Sequence, residues 1–287
     1  MIHQVIDIVC DYAAAKIPDP VLSGYILPDI SYQPKLHTYI LDNSIEMQPF
    51  RRRPAVIICP GGGYEFTSFR EGEHIAIRMN ALGFNAFILS YSCKPAIFPA
   101  ALLELATAVS LIRNNAAAWH IDPKRIIVAG FSAGGHLAAS LGVFWNDKTI
   151  FESLGVKPAR IRPNGLLLSY PVISSGEYAH ASSFKSLLGE NHDALLSKVS
   201  LENQVTADTP PTFLWHTYED ALVPVENSLL FATALRKNGI PFELHIYKPG
   251  GHGLSAATAE TANTLGWGIQ VECQNWIDMA GTWIKNL

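Results

Sequence analysis

The chain has 287 residues, of which 48% are hydrophobic and 16% charged, so a sizeable core can form and a disordered polypeptide is excluded. Its formal net charge is −4 and its basic run, Arg51-Arg52-Arg53, reads as a solvated loop, which excludes a broad nucleic-acid face. Cys10, Cys59, Cys93 and Cys273 form no C-x-x-C pair and no apolar stretch reaches the roughly 18 residues of a membrane span, which excludes a disulfide scaffold, a zinc cluster and a transmembrane helix.

Met1 to Lys16 lacks a basic segment followed by an apolar run and a small-residue cleavage site, so no signal peptide is read and a cytoplasmic, reducing setting is expected. Residues 1–50 form an irregular N-terminal extension punctuated by Pro18, Pro20, Pro28 and Pro34, with His37 to Leu41 as an antiparallel edge strand. Ala55 to Cys59 is a continuous apolar run ended by Pro60-Gly61-Gly62-Gly63, which suits a buried strand and a loop. Glu73 to Leu82 reads as a helix stopped by Gly83, and Asn85 to Tyr91 as a second buried strand. Pro99 to Trp119 reads as a long helix with Leu102, Leu105, Ala106, Val109 and Ile112 on one face.

Asp122-Pro123 opens a turn before the strand Arg125 to Ala129, and His136 to Phe144 is the next helix. Strands at Gly165 to Tyr170, Thr212 to His216 and Phe242 to Tyr247 follow, with helices at Asn227 to Lys237 and Gln270 to Asn286. Strands alternating with helices imply a mostly parallel central sheet with helices on both faces, expected as a single α/β domain over residues 1–287. Residues 171–211 form a short lid-like insertion with one amphipathic stretch near Leu187 to Val199. In such sheets ligands bind beyond the carboxyl ends of the strands, so the residues there carry the chemistry.

After the Arg125 to Ala129 strand comes Gly130-Phe131-Ser132-Ala133-Gly134, a G-x-S-x-G turn into a helix. A serine on so sharp a turn has a strained backbone, and small residues two before and two after it remove clashes. Its hydroxyl is a weak nucleophile that needs a base and an orienting acid. Asp220 follows the Thr212 to His216 strand, with Glu219 as its rival, and His252, between Gly251 and Gly253, follows the Phe242 to Tyr247 strand. His136 is expected to pack beneath the serine turn, and His216 and His245 to be core or cross-strand groups. Consecutive glycines free backbone N–H groups to face an oxyanion, so Gly62, Gly63 and the Ala133 amide are the expected donors. Tyr64 and Phe66 are expected to line the acyl or alcohol side of the pocket. Glu65, Arg70, Glu71 and Glu73 follow the glycine loop and could line the pocket mouth, with a solvated helix start the favoured reading. No H-E-x-x-H or Cys/His cluster and no nucleotide-binding glycine motif occurs, so neither metal nor cofactor is expected.

The chain resembles α/β-hydrolases of the esterase/lipase branch, and is similar to small acetylxylan-esterase-like carbohydrate esterases. Pro60-Gly61-Gly62-Gly63-Tyr64, Gly130-Phe131-Ser132-Ala133-Gly134-Gly135-His136, Asp220 with Val223-Pro224, and Gly251-His252-Gly253 carry the likeness over roughly residues 50–285. Many relatives have His before the glycines where this chain has Pro60, a departure that leaves the backbone amides in place. The resemblance implies the α/β-hydrolase fold with a small lid or none. It also implies a Ser132-His252-Asp220 triad acting on short acyl esters, with acetylated sugars among the substrates. Asp220-Ala221-Leu222-Val223-Pro224 and the late histidine also resemble the prolyl-oligopeptidase catalytic domain, which keeps an amidase, formamidase or peptidase open, and a noncatalytic binding protein of the same fold is the remaining class. The expected partner is a small-molecule ester, with neither nucleic acid nor membrane, and a homodimer is left open.

Overall fold

In the computed structural model, residues 1–12 and 33–287 are described; Pro18, Pro20 and Pro28 of the irregular extension lie outside them. The sheet is built from β1 (Val5–Asp7), β2 (Lys35–Tyr39), β3 (Arg53–Cys59), β4 (Asn85–Ser90), β5 (Ile121–Phe131), β6 (Gly165–Ser169), β7 (Thr212–Thr217) and β8 (Phe242–Tyr247). The helices are α1 (Glu73–Ala81), α2 (Ala100–Asn114), α3 (Ala133–Phe144), α4 (Lys148–Phe151), α5 (Pro158–Ile161), α6 (Ala181–Leu188), α7 (His192–Leu195), α8 (Glu226–Lys237) and α9 (Trp276–Asn286). The strand order is β1-β2-β4-β3-β5-β6-β7-β8. β1 and β2 pair antiparallel at one edge, and from β4 to β8 every neighbour is parallel. β2 therefore carries the expected antiparallel segment, but β1 rather than β2 is the outer strand.

The central strands read as unbroken apolar runs because both sheet faces are covered. Alternate residues go to opposite sides: Ile57, Val128, Leu168 and Leu214 pack with α2, α3 and α8, while Ile58, Ile127, Leu167, Phe213 and Trp215 pack with α1 and α9. On the second side Trp215 stacks on Trp276 with ring centroids 5.1 Å apart.

Several boundaries differ from the sequence expectation. α2 ends at Asn114, not Trp119, where the Asn115 side chain donates to the Leu111 carbonyl and the Ile121 amide to the Ala116 carbonyl, turning the chain into β5. β5 then starts at Ile121 against Arg53, with the Asp122-Pro123 turn retained as an irregularity in its register. The last helix starts at Trp276, because Gln270 first donates to the Ala257 carbonyl and Val271–Cys273 form a separate 3₁₀ turn.

Candidate active site

The turn between β5 and α3 sets the site. Ser132 has φ +54°, a region that ordinary side chains rarely adopt. The turn is also crowded: a Cβ on Gly130 would collide with the Gly134 carbonyl, and one on Gly134 with the Cys59 carbonyl. The helix starts immediately at Ala133, three residues earlier than the sequence suggests, so the Ala133 amide belongs to the helix N-terminus and has no intrahelical acceptor. Val172 donates its amide to the Ser132 carbonyl and Ser132 its own to Ser169, fixing the turn from both sides.

Asp220 and His252 come to Ser132 from the loops after β7 and β8. The His252 Nδ1–H donates to Asp220 Oδ2 at 2.6 Å, and the Ser132 hydroxyl donates to His252 Nε2 at 2.7 Å. Asp220 Oδ1 accepts the Leu222 and Val223 amides at 3.0 and 2.9 Å, so both carboxylate oxygens are engaged. His216 Nε2 lies 3.3 Å from Asp220 Oδ2 and also donates to the Val223 carbonyl. Burial on its own would raise the Asp220 carboxyl pKa, but the hydrogen bonds from His216, His252 and Val223 together with the His252 charge outweigh it and hold the group well below the usual carboxylate range. Glu219, the rival acid, is exposed and lines the cleft instead.

The cleft over Ser132 holds about 570 Å³, within the range of small-molecule sites. Gly62, Gly63 and Phe66 line it, as do His180, Ser182 and Trp267. Gly61 is not part of the lining, and its amide donates to Glu71 Oε2 at 2.7 Å. Phe66 is 60% exposed at the rim. Tyr64 is not in the cleft. It is 3% exposed, and its hydroxyl donates to His136 Nδ1 at 2.9 Å beneath the serine turn. With φ +58° it closes the glycine loop and points its ring inward, so the pocket role expected from its sequence position falls away.

Glu71 reverses a second expectation. It is no solvated helix start but a 4% exposed carboxylate. It accepts the Gly61 amide on Oε2 and the Tyr170 hydroxyl on Oε1, and Tyr170 in turn accepts the Ser255 amide at 2.9 Å. Burial pushes the Glu71 carboxyl up, and the Tyr170 and Gly61 hydrogen bonds and the His252 and Arg70 charges draw it back. Burial and the Glu71 charge push the Tyr170 phenol well above its usual range, which keeps it a donor. One carboxylate therefore ties together the glycine loop, the end of β6 and the His252 loop. The Tyr170 ring meets the His252 ring edge-on at 5.1 Å. Glu71 lines the cleft, as its place after the glycine loop allows, and Tyr170 stands at a strand end, but nothing local to either residue pairs the two.

A mostly parallel sheet of this order, with a serine turn after its central strand and an acid and a histidine after its last two, defines an α/β hydrolase. Residues 41–235 match the BD-FAE family, and the chain belongs to that family. It is 41% identical over 234 residues to endo-1,4-beta-xylanase B of Butyrivibrio fibrisolvens, covering 79% of this chain and 35% of that protein. It is 30% identical over 211 residues to the acetylxylan esterase of Xylanibacter ruminicola, covering 71% and 42%. The chain thus spans less than half the length of these two relatives. Among solved structures, the acetyl ester-xyloside bifunctional hydrolase from Caldicellulosiruptor lactoaceticus superposes with a TM-score of 0.81 at 39% identity, over 99% of this chain and 96% of that one. The carboxylesterase Cest-2923 from Lactobacillus plantarum gives 0.81 at 25% identity, over 100% and 98%. Among the described residues no helix is long and apolar enough to cross a membrane, and no group of three His, Cys, Asp or Glu side chains is placed to hold a metal ion.

Two outcomes follow from this geometry. Replacing Glu71 with Gln keeps the shape but turns an N–H₂ toward either the Gly61 amide or the Tyr170 hydroxyl, both of which donate to the carboxylate. The purified Glu71→Gln variant should melt cooperatively yet lose about 10- to 100-fold in kcat with KM nearly constant, since small displacements of reacting groups cost that much. Wild-type kcat in this variant would show that the carboxylate does not position the loops. The second outcome concerns His136, whose Nε2–H donates to the Val199 carbonyl while Nδ1 accepts from Tyr64. Burial lowers its pKa from 6.5 to about 4. As pH falls from 6.5, the unfolded chain takes up this proton before the folded one, so stability drops by about 3 kcal/mol down to pH 4 and no further from this group. Urea unfolding at pH 7 and pH 4 should therefore show a smaller loss in His136→Gln than in wild type; equal losses would reject the assignment.

Proposed function

We propose that this α/β hydrolase is a serine carboxylic-ester hydrolase acting on short acyl esters, acetyl foremost, with acetylated sugars among its substrates. The observation that carries the reading is the continuous hydrogen-bonded line Ser132–His252–Asp220 opening into the cleft. Nε2 of His252 takes the Ser132 proton as Oγ attacks the ester carbon. Gly62, Gly63 and the Ala133 amide then face the oxyanion, and Asp220 stabilises the imidazolium. The imidazolium returns the proton to the leaving alcohol as the C–O bond breaks, giving an acyl-enzyme. Water, deprotonated by the same imidazole, releases the acid and restores the Ser132 hydroxyl.

The short-acyl preference is supported by the segment after β6. Leu187, Leu188, Leu195 and Val199 are buried in the core with the preceding Phe184, so the amphipathic stretch turns its apolar side inward, and His180 and Ser182, which precede it, line the cleft. A lipase lid would instead expose a broad apolar surface to a lipid interface. The names of the relatives, an acetylxylan esterase and an acetyl ester-xyloside hydrolase, support the acetyl and sugar elements. An amidase or peptidase uses the same triad, so the ester assignment rests on substrate tests.

The test is kcat/KM over p-nitrophenyl esters of two to twelve carbons, over p-nitroacetanilide, and over acetylated xylo-oligosaccharides. We expect a maximum at two to four carbons, ester turnover far above anilide, and release of acetate from the sugars. Ser132→Ala should fold normally and lose on the order of 10⁶ in kcat. A maximum at eight carbons or more would overturn the short-acyl reading, a dominant anilide activity the ester reading, and retained turnover in Ser132→Ala the nucleophile.

A further inference from the structure

On the ester-hydrolase reading, the imidazolium of His252 must hand its proton to the departing alkoxide. The leaving alcohol must then lie within about 3 Å of Nε2, on the His252 side of the cleft. What borders that side is an indole. Gly251 and Gly253 carry no side chains, and a Cβ on either would touch Trp267, at 3.8 Å from Cζ2 and 3.7 Å from Cη2 respectively. Trp267 lines the same cleft and is 46% exposed.

The ring is held in place. The Arg70 guanidinium stacks on it, 5.1 Å from the ring centroid, and Arg70 is itself fixed by its Nε–H donating to the Thr261 carbonyl at 2.6 Å. Asn263 accepts the Trp267 amide on its side chain and donates its own amide to the Trp267 carbonyl. An aromatic fixed before any ligand arrives lowers the ordering cost of binding, while its exposed surface remains available for contact. Elsewhere the cleft offers polar groups: Ser182, His180 and the Glu219 carboxylate. An apolar plate beside hydroxyl acceptors matches a sugar ring, which has a C–H face and a hydroxyl edge. An alkyl alcohol gains from the plate alone.

The geometry points to Trp267 as the stacking platform for a neutral sugar on the leaving-alcohol side, which makes it the residue that selects acetylated saccharides over other acetate esters. This rests on the ester-hydrolase reading, so the experiment separates the two. Wild type, Trp267→Ala and Trp267→Phe are compared on acetylated xylobiose, on cyclohexyl acetate and on ethyl acetate, whose alcohol has no ring to stack, with melting curves as the folding control. We expect Trp267→Ala to lose at least about tenfold more kcat/KM on the sugar than on ethyl acetate, mostly through KM, with less loss on cyclohexyl acetate and partial recovery in Trp267→Phe. Equal losses on all three esters would reduce Trp267 to a support of the His252 loop and overturn the proposal, as would a cyclohexyl loss matching the sugar loss. A wild type that cleaves ethyl acetate but no acetylated sugar would overturn this inference and leave ester hydrolysis standing. A wild type that cleaves no ester would instead remove the underlying reading.

Discussion

The close approach of α3 to the ends of β3 and β5 is the constraint on which the site depends. With no side chain on Gly130 and Gly134, the first turn of α3 sits directly on the carbonyls of Cys59 and Pro60. That contact forces Ser132 into its left-handed conformation and brings the start of the glycine loop beside it. Ser132, the N-terminus of α3 and the start of the glycine loop are thereby brought together by backbone packing. Once this is done, the loops after β7 and β8 need only deliver two side chains, and the parallel register of β6, β7 and β8 brings both to the same edge.

Backbone packing does not explain why the loops stay where they are, and here buried polar groups act. Glu71 binds the glycine loop and, through Tyr170, the His252 loop. His136 ties Tyr64 of the glycine loop to Val199 of the segment after β6. Each group is buried at a cost in solvation, and each has its hydrogen-bonding atoms met by fixed partners. The ionised form of Glu71 also adds negative potential near His252, in addition to that of Asp220. In the mechanism proposed above, that potential would favour an imidazolium at His252.

The parts of this arrangement legible in the sequence are those whose signals are local. A strand buried on both faces shows as an apolar run, as at Ala55 to Cys59 and Gly165 to Ser169, and a helix stopped by Gly or Asn shows its end, as at Gly83 and Asn238-Gly239. The serine turn was legible because its steric demands fall within five consecutive residues. Asp220 and His252 were legible as residues just past strand ends. What failed was set by partners far along the chain. Glu71 meets Gly61 ten residues away and Tyr170 ninety-nine away, and Arg70-Glu71-Gly72-Glu73 carries the composition of a solvated helix start. Tyr64 adjoins the glycines expected at the pocket, yet at a positive φ its ring lies under the serine helix toward His136. The end of α2 and the start of α9 were misread because Asn115 and Gln270 make side-chain or loop hydrogen bonds that periodicity does not register.

A second buried carboxylate shows that the device at Glu71 is used twice. Glu104, on the otherwise apolar face of α2, is fully buried, accepts the Tyr12 hydroxyl at 2.6 Å and the Ser92 amide at 2.7 Å, and has its carboxyl pushed up by burial. Tyr12 lies in the N-terminal segment and Ser92 just beyond β4, so Glu104 fastens the antiparallel edge of the molecule to its parallel core, as Glu71 fastens the loops of the site. An apolar residue in either place would bury more cheaply. It would also leave the Gly61 or Ser92 amide without an acceptor in the interior, at about 1–3 kcal/mol for each such group. The carboxylates are therefore fixed by the donors around them. Those donors lie where the chain leaves a sheet strand and cannot continue a ladder.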